Sequence, residues 1–224
     1  MRLLLLAFVL LLFLAVGCSG AFEPVKPVLY WALLPNNDTP TNAMVRFVQS
    51  YERKFETEYK GMLTGDFTFE FSSVADPTLV QQYSTGWFKP DEIETSSHLF
   101  AGYTPPGEQT LQPASSISIR LALLRPTDDS ARGVDPKKHK VLSTRVDGSV
   151  TVPRESDTPR TYVIFNNYDT FYLVRGDAAL SLDSSQPADS THWYIYRWVD
   201  LTAKADSSSQ SDTVTWGALK GKYH

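Results

Sequence analysis

The sequence predicts an α+β domain, with a long N-terminal helix packed in a strongly curved, mostly antiparallel sheet. Three observations carry this. Apolar residues recur at helical spacing between Met44 and Met62, and from Ser116 onward the period drops to two. The strands that follow are joined by segments too short for regular crossover helices, which excludes alternating βα units.

The first helix is announced by Thr39-Pro40-Thr41, because threonine caps helix starts and proline fits the first turn. Met44, Phe47, Val48, Tyr51, Phe55, Tyr59 and Met62 then form an apolar stripe, which predicts one helix about five turns long. Gly65-Asp66 punctuates the chain. Phe67, Phe69 and Phe71 alternate with Thr68 and Glu70, the pattern of a strand with one aromatic face. After a loop over 73–88, a shorter helix starts near Pro90-Asp91-Glu92 and ends by Gly102, with Ile93 and Leu99 inward.

Beyond the loop 103–114, Ile117, Ile119, Leu121 and Leu123 alternate with shorter or polar residues and predict a half-buried strand. Val141 to Val152 reads as a weaker strand region with a turn at Asp147-Gly148. Tyr162 to Phe165 is a short strand ended by Asn166-Asn167. Phe171 to Leu182 and His192 to Leu201 are longer strands joined by a polar loop. Thr215 to Tyr223 suits a final short helix, and Ser207 to Asp212 is a solvated low-complexity loop. A curved sheet wrapped around the N-terminal helix buries both the phenylalanine face and the helix stripe.

The first residues follow a different logic. Arg2 precedes an unbroken apolar run from Leu3 to Val16, and small residues follow. That is the layout of a secretory signal, and the run is shorter than the roughly 20 residues a membrane-spanning helix needs. Ala15-Val16-Gly17-Cys18 resembles the lipobox of bacterial lipoproteins. The resemblance implies cleavage between Gly17 and Cys18 and a lipid on the Cys18 thiol. The expected organisation is a signal peptide at 1–17, a lipidated tether at 18–40 and a single domain at 41–224. Two or more acyl chains give stable anchoring. Ser19 resembles the residue after the cysteine in lipoproteins sorted to the outer membrane, facing the periplasm.

The remaining 207 residues carry 20 basic and 25 acidic side chains, a balance that argues against generic nucleic-acid binding. Cys18 is the only cysteine. The domain therefore has no internal disulfide, thiolate metal site or cysteine nucleophile, and rests on aromatic packing.

Two segments resemble the nuclear transport factor 2-like superfamily, which includes ketosteroid isomerases and polyketide cyclases. They are Tyr51 to Phe71 (YERKFETEYKGMLTGDFTFEF) and His192 to Asp200 (HWYIYRWVD), with a tail-like match at Thr215 to Lys220. The resemblance implies a cone with an internal cavity, which serves both enzymes and non-catalytic binders, so the fold does not fix function. An isomerase-like site needs a carboxylate base and a buried acidic donor. The candidates are Asp66 as base, with Tyr59 or His192, each weighed against a plain structural role in turn or core. Trp87 and Trp198 are the candidate pocket liners, against a reading as core.

No histidine pair has metal-ligand spacing, no G-x-S-x-G or glycine-rich phosphate loop occurs, and no cofactor motif is present. The expectation is a lipid-anchored bacterial envelope protein with a non-catalytic cone, binding a small apolar ligand or an envelope protein. The alternatives are an isomerase- or cyclase-like enzyme using a cavity carboxylate, and a structural accessory of an envelope complex.

Overall fold

The computed structural model describes residues 34–105, 110–129, 135–154, 158–183, 186–203 and 213–224. These belong to one compact unit, Leu34–His224. Cys18, Gly17 and the Ser207 to Asp212 segment lie outside the described residues.

Helix α1 spans Pro40–Glu52, with Pro40 in its first turn and the Thr39 hydroxyl accepting from the Asn42 amide at 3.1 Å. Its stripe buries Met44, Phe47 and Tyr51. The single five-turn helix expected from the periodicity is instead two. Lys54 adopts φ 58, the Phe55 amide bonds to Ser50 O and the Lys54 amide to Tyr51 O. This is a Schellman stop with lysine in the position usually held by glycine. The Lys54 ammonium secures it by donating to Ala114 O at 2.7 Å. Helix α2, Glu56–Gly61, then turns back and lays Tyr59 against Tyr51 and Phe47, with ring centroids 4.9 and 5.2 Å apart.

Strand β1, Leu63–Glu70, buries Phe67 and Phe69 as the alternation requires. Helix α3, Pro77–Gln82, lies in the stretch expected as loop and buries none of its residues, so it leaves no periodic trace. After the two-residue strand β2, Trp87–Phe88, comes helix α4, Lys89–Ala101. The Asp91 carboxylate accepts from the Phe88 amide at 2.7 Å to cap its start. Gly102, at φ 85, follows its end.

Strands β3 (Ser116–Leu121), β4 (Thr127–Asp128), β5 (His139–Val152), β6 (Arg160–Arg175) and β7 (Trp193–Asp200) complete the sheet. Its order is β2-β1-β7-β6-β5-β3, with β4 also pairing β5. Every pairing is antiparallel except β1 with β7. The sheet is curved and unclosed. The turn expected at Asp147-Gly148 and the strand end expected at Asn166-Asn167 do not occur, since β5 and β6 run through them. They face each other across β5 and β6, where the register shifts between Val146 and Gly148. Asn166 adopts φ 56 and its amide bonds to Asp147 Oδ1 at 2.9 Å. Such irregularities bend long strands without ending them. β6 itself ends at Arg175 and does not reach Leu182.

The last helix, α5, spans Trp216–Tyr223, capped by the Thr215 hydroxyl, which accepts from the Ala218 amide at 2.8 Å. It buries Trp216, Leu219, Lys220 and Tyr223 in the core. Trp216 lies there between Tyr51 and Trp198, with ring centroids 5.3 and 5.9 Å away. Among the described residues, no helix is long and apolar enough to cross a membrane.

Candidate functional site

Helix α4 turns a polar face inward. Lys89, Glu92, Thr95 and Ser96 are buried on it together with Leu99. Glu92 is fully buried and its carboxylate is surrounded by donors. The Tyr59 hydroxyl donates to Oε1 at 2.5 Å, and the Trp87 indole donates to Oε2 at 3.0 Å. Lys220 of α5 donates to the same Oε2 at 2.5 Å. The Lys220 ammonium also lies 3.8 Å from the ring centroids of both Phe69 and Trp198, whose planes stand 87° apart. Burial lowers the Lys220 pKa, and Glu92, Asp169 and Asp200 oppose that shift. Burial, then the Glu92 charge, pushes the Tyr51 and Tyr59 hydroxyls well above the usual tyrosine value.

Three further carboxyls gather near the start of α5. Asp76 accepts from the Thr215 hydroxyl at 2.5 Å, and Asp200 accepts from the Thr202 amide at 2.8 Å. Asp169 is buried with the Trp198 indole beside it, and the buried indole nitrogen of Trp216 has no hydrogen-bond partner among the described residues. Burial raises the pKa of all three carboxyls, and the neighbouring Asp200 raises Asp169 further. Carboxyls near a helix N-terminus complement its dipole. At the other end of α5, His98 Nδ1 lies 2.6 Å from Tyr223 O. The helix is therefore held at its start, middle and end by side chains of the rest of the domain.

Outside this packed interior runs an open cleft of about 540 Å³, bounded by α2, α4 and the segment around Leu182. An adjoining recess adds about 230 Å³. Pro90, Ile93 and Leu182 give the cleft apolar surface, while Glu56, Lys60 and His98 give it polar ends. Lys89 lines both spaces and is only 7% exposed. Its ammonium ties the walls together, donating to Leu63 O and Leu182 O at 2.6 Å each. Burial, reinforced by Lys60 and opposed by Asp183, lowers its pKa to about 8.

Of the sequence candidates, Tyr59, Trp87 and Trp198 meet around the Glu92–Lys220 pair. Tyr59 and Trp87 hold the carboxylate and Trp198 faces the ammonium. They border a filled interior and line neither space of the open cleft. Asp66 lies exposed on β1, accepting from the Thr64 hydroxyl at 2.6 Å. His192 precedes β7, with Nδ1 3.8 Å from Asp189 Oδ2, at the opposite end of that strand from Asp200. The structure thus does not bring Asp66 or His192 to the Tyr59 cluster. Glu92, Lys220, Asp169 and Asp200 escaped the sequence reading. The available signal was the polar spacing Lys89, Glu92, Ser96 on a helix between aromatic segments. Among the described residues, no group of three or more His, Cys, Asp or Glu is arranged to hold a metal ion.

No protein-family model matches the chain, and no curated protein matches its sequence. Solved structures do resemble it. A nuclear transport factor 2-like superfamily protein from Salmonella enterica shares 10% identity at a TM-score of 0.43, over 76% of this chain and 92% of its own. A protein from Kribbella flavida shares 12% identity at a TM-score of 0.48, over 83% and 97%. A ketosteroid isomerase-like protein from Erwinia carotovora atroseptica shares 9% identity at a TM-score of 0.40, over 78% and 98%.

Proposed function

We propose that this chain is a non-catalytic binding domain, held at the bacterial envelope by a lipid on Cys18. Its ligand is small, with an apolar body and a polar end, and occupies the cleft between α2 and α4. The observation that carries this reading is the division of space in the fold. The interior is filled by Trp216, Lys220 and their aromatic neighbours, while the 540 Å³ cleft lies outside it. A cleft of that volume, with apolar surface from Pro90, Ile93 and Leu182 set among polar and charged side chains, has room for a small amphipathic molecule. The lipobox-like segment Ala15 to Cys18 supports the anchor.

Two experiments test the two halves. The amphipathic dye 8-anilinonaphthalene-1-sulfonate is expected to bind the folded protein saturably and to lose that binding in Ile93→Glu. Unchanged binding in Ile93→Glu would remove the cleft from the account. For the anchor, metabolic labelling with an alkynyl fatty acid is expected to mark the wild type and not Cys18→Ala, which leaves the membrane fraction. Equal labelling of the two would overturn it.

A further inference from the structure

We propose that the interior of this domain is a recognition site for primary ammonium groups, filled here by Lys220 of the protein's own last helix. The site divides into a receptor and an occupant from separate parts of the chain. Glu92, Tyr59, Trp87, Phe69 and Trp198 make the receptor, and all precede residue 200. Lys220 makes the occupant, 128 residues beyond Glu92.

Part of the receptor is fixed by contacts that do not involve α5. Tyr59 and Trp87 fix the two Glu92 oxygens through bonds of 2.5 and 3.0 Å that do not involve Lys220. Phe69 and Trp198 meet edge to face, with centroids 5.2 Å apart, and form a corner of ring surface. An ammonium in that corner has three donors and three matching acceptors: the carboxylate at 2.5 Å and the two ring faces, each 3.8 Å away. A desolvated cation over aromatic faces is held more strongly than one in water. Asp169 adds a second buried carboxyl whose charge acts on the same ammonium.

Stability alone does not explain a lysine here. A buried ion pair returns little over a well-packed apolar pair of similar size, and a methionine or leucine would suit an aromatic corner. What the pair adds is chemical selection. A carboxylate flanked by two aromatic faces favours a compact ammonium on an alkyl stem over a neutral group or a bulky quaternary cation. The ligand class is a primary alkylammonium, free or at the end of a lysine side chain, and α5 delivers one in cis.

The test removes the occupant and returns it as a solute. Lys220→Ala deletes the n-propylammonium portion of the side chain. Its thermal unfolding is followed in n-propylammonium chloride, in tetramethylammonium chloride at equal ionic strength, and in 1-propanol. The expected result is a saturable rise of a few degrees in Tm with n-propylammonium alone, absent in wild type, where Lys220 holds the site. If Lys220→Ala is unfolded by itself, the same titration is read as recovery of near-ultraviolet circular dichroism. Equal responses to the three solutes, an equal shift in wild type, or no response by either readout would overturn the proposal.

Discussion

Asp169 on β6 stands directly opposite Asp200 on β7, and both are almost wholly buried, at 1% and 2% exposed. Two facing carboxyls out of water resist ionising together. They lie beside the helix that closes the interior, so the protonation of this pair bears on how firmly that helix is held.

The sign follows from the direction of the shift. A carboxyl whose folded pKa is raised binds its proton more tightly in the folded state. Its stabilising contribution is full below the ordinary value of 3.8 and is lost as pH rises through the raised folded value. Asp169→Asn removes one such group. Urea titrations at stepped pH are expected to show wild-type stability falling relative to Asp169→Asn as pH rises from 3.8. Parallel curves would contradict this.

Lys220 and Glu92 are 1% and 0% exposed in their side chains. Lys220→Met leaves a buried carboxylate without its counter-charge, which is expected to destabilise the fold by about 3–5 kcal/mol. Adding Glu92→Gln removes the stranded charge while keeping an acceptor for Tyr59 or Trp87. The double variant is expected to regain at least half of the loss in chemical denaturation. Additive losses would show that the two side chains act independently.

Asn166 tests the bend in the sheet. Its φ of 56 is open to asparagine and glycine and strained for alanine. Asn166→Gly is expected to match wild type within about 0.5 kcal/mol, while Asn166→Ala loses about 1–2 kcal/mol relative to Gly. Equal stability of the two variants would mean that β6 relaxes out of the bend.

Gly65 tests the wall of the cleft. A Cβ there would stand 2.2 Å from Ser181 O, so Gly65→Ala must push the 181–183 segment away from β1. Leu182 O is one of the two acceptors that hold the Lys89 ammonium. The expected outcome is weaker dye binding in the cleft with the far-ultraviolet spectrum retained. Unaltered affinity would separate that segment from the site.

Much of the fold was legible because its signals are local. Phe67 and Phe69 alternate and form β1; Thr39-Pro40 starts α1; Thr215 caps α5. The misreadings came from residues whose conformation depends on distant partners. Lys54 takes a left-handed position that sequence alone assigns to glycine, secured by Ala114, 60 residues away. Asp147-Gly148 and Asn166 carry turn-forming residues yet serve as a paired irregularity inside two continuous strands. Of the interior cluster, Tyr59, Trp87 and Trp198 stood out as aromatic. Glu92 and Lys220 did not, since a buried charge in sequence looks like any surface charge until its partner is known.

The proposed arrangement closes the interior with the last helix of the domain and leaves binding to the outer cleft. Native-state hydrogen exchange of α5 tests it most directly. The Leu219 and Lys220 amides are expected to exchange only with global unfolding, with the same denaturant dependence as core amides of β6. Exchange of these amides by local opening, while β6 stays protected, would contradict it.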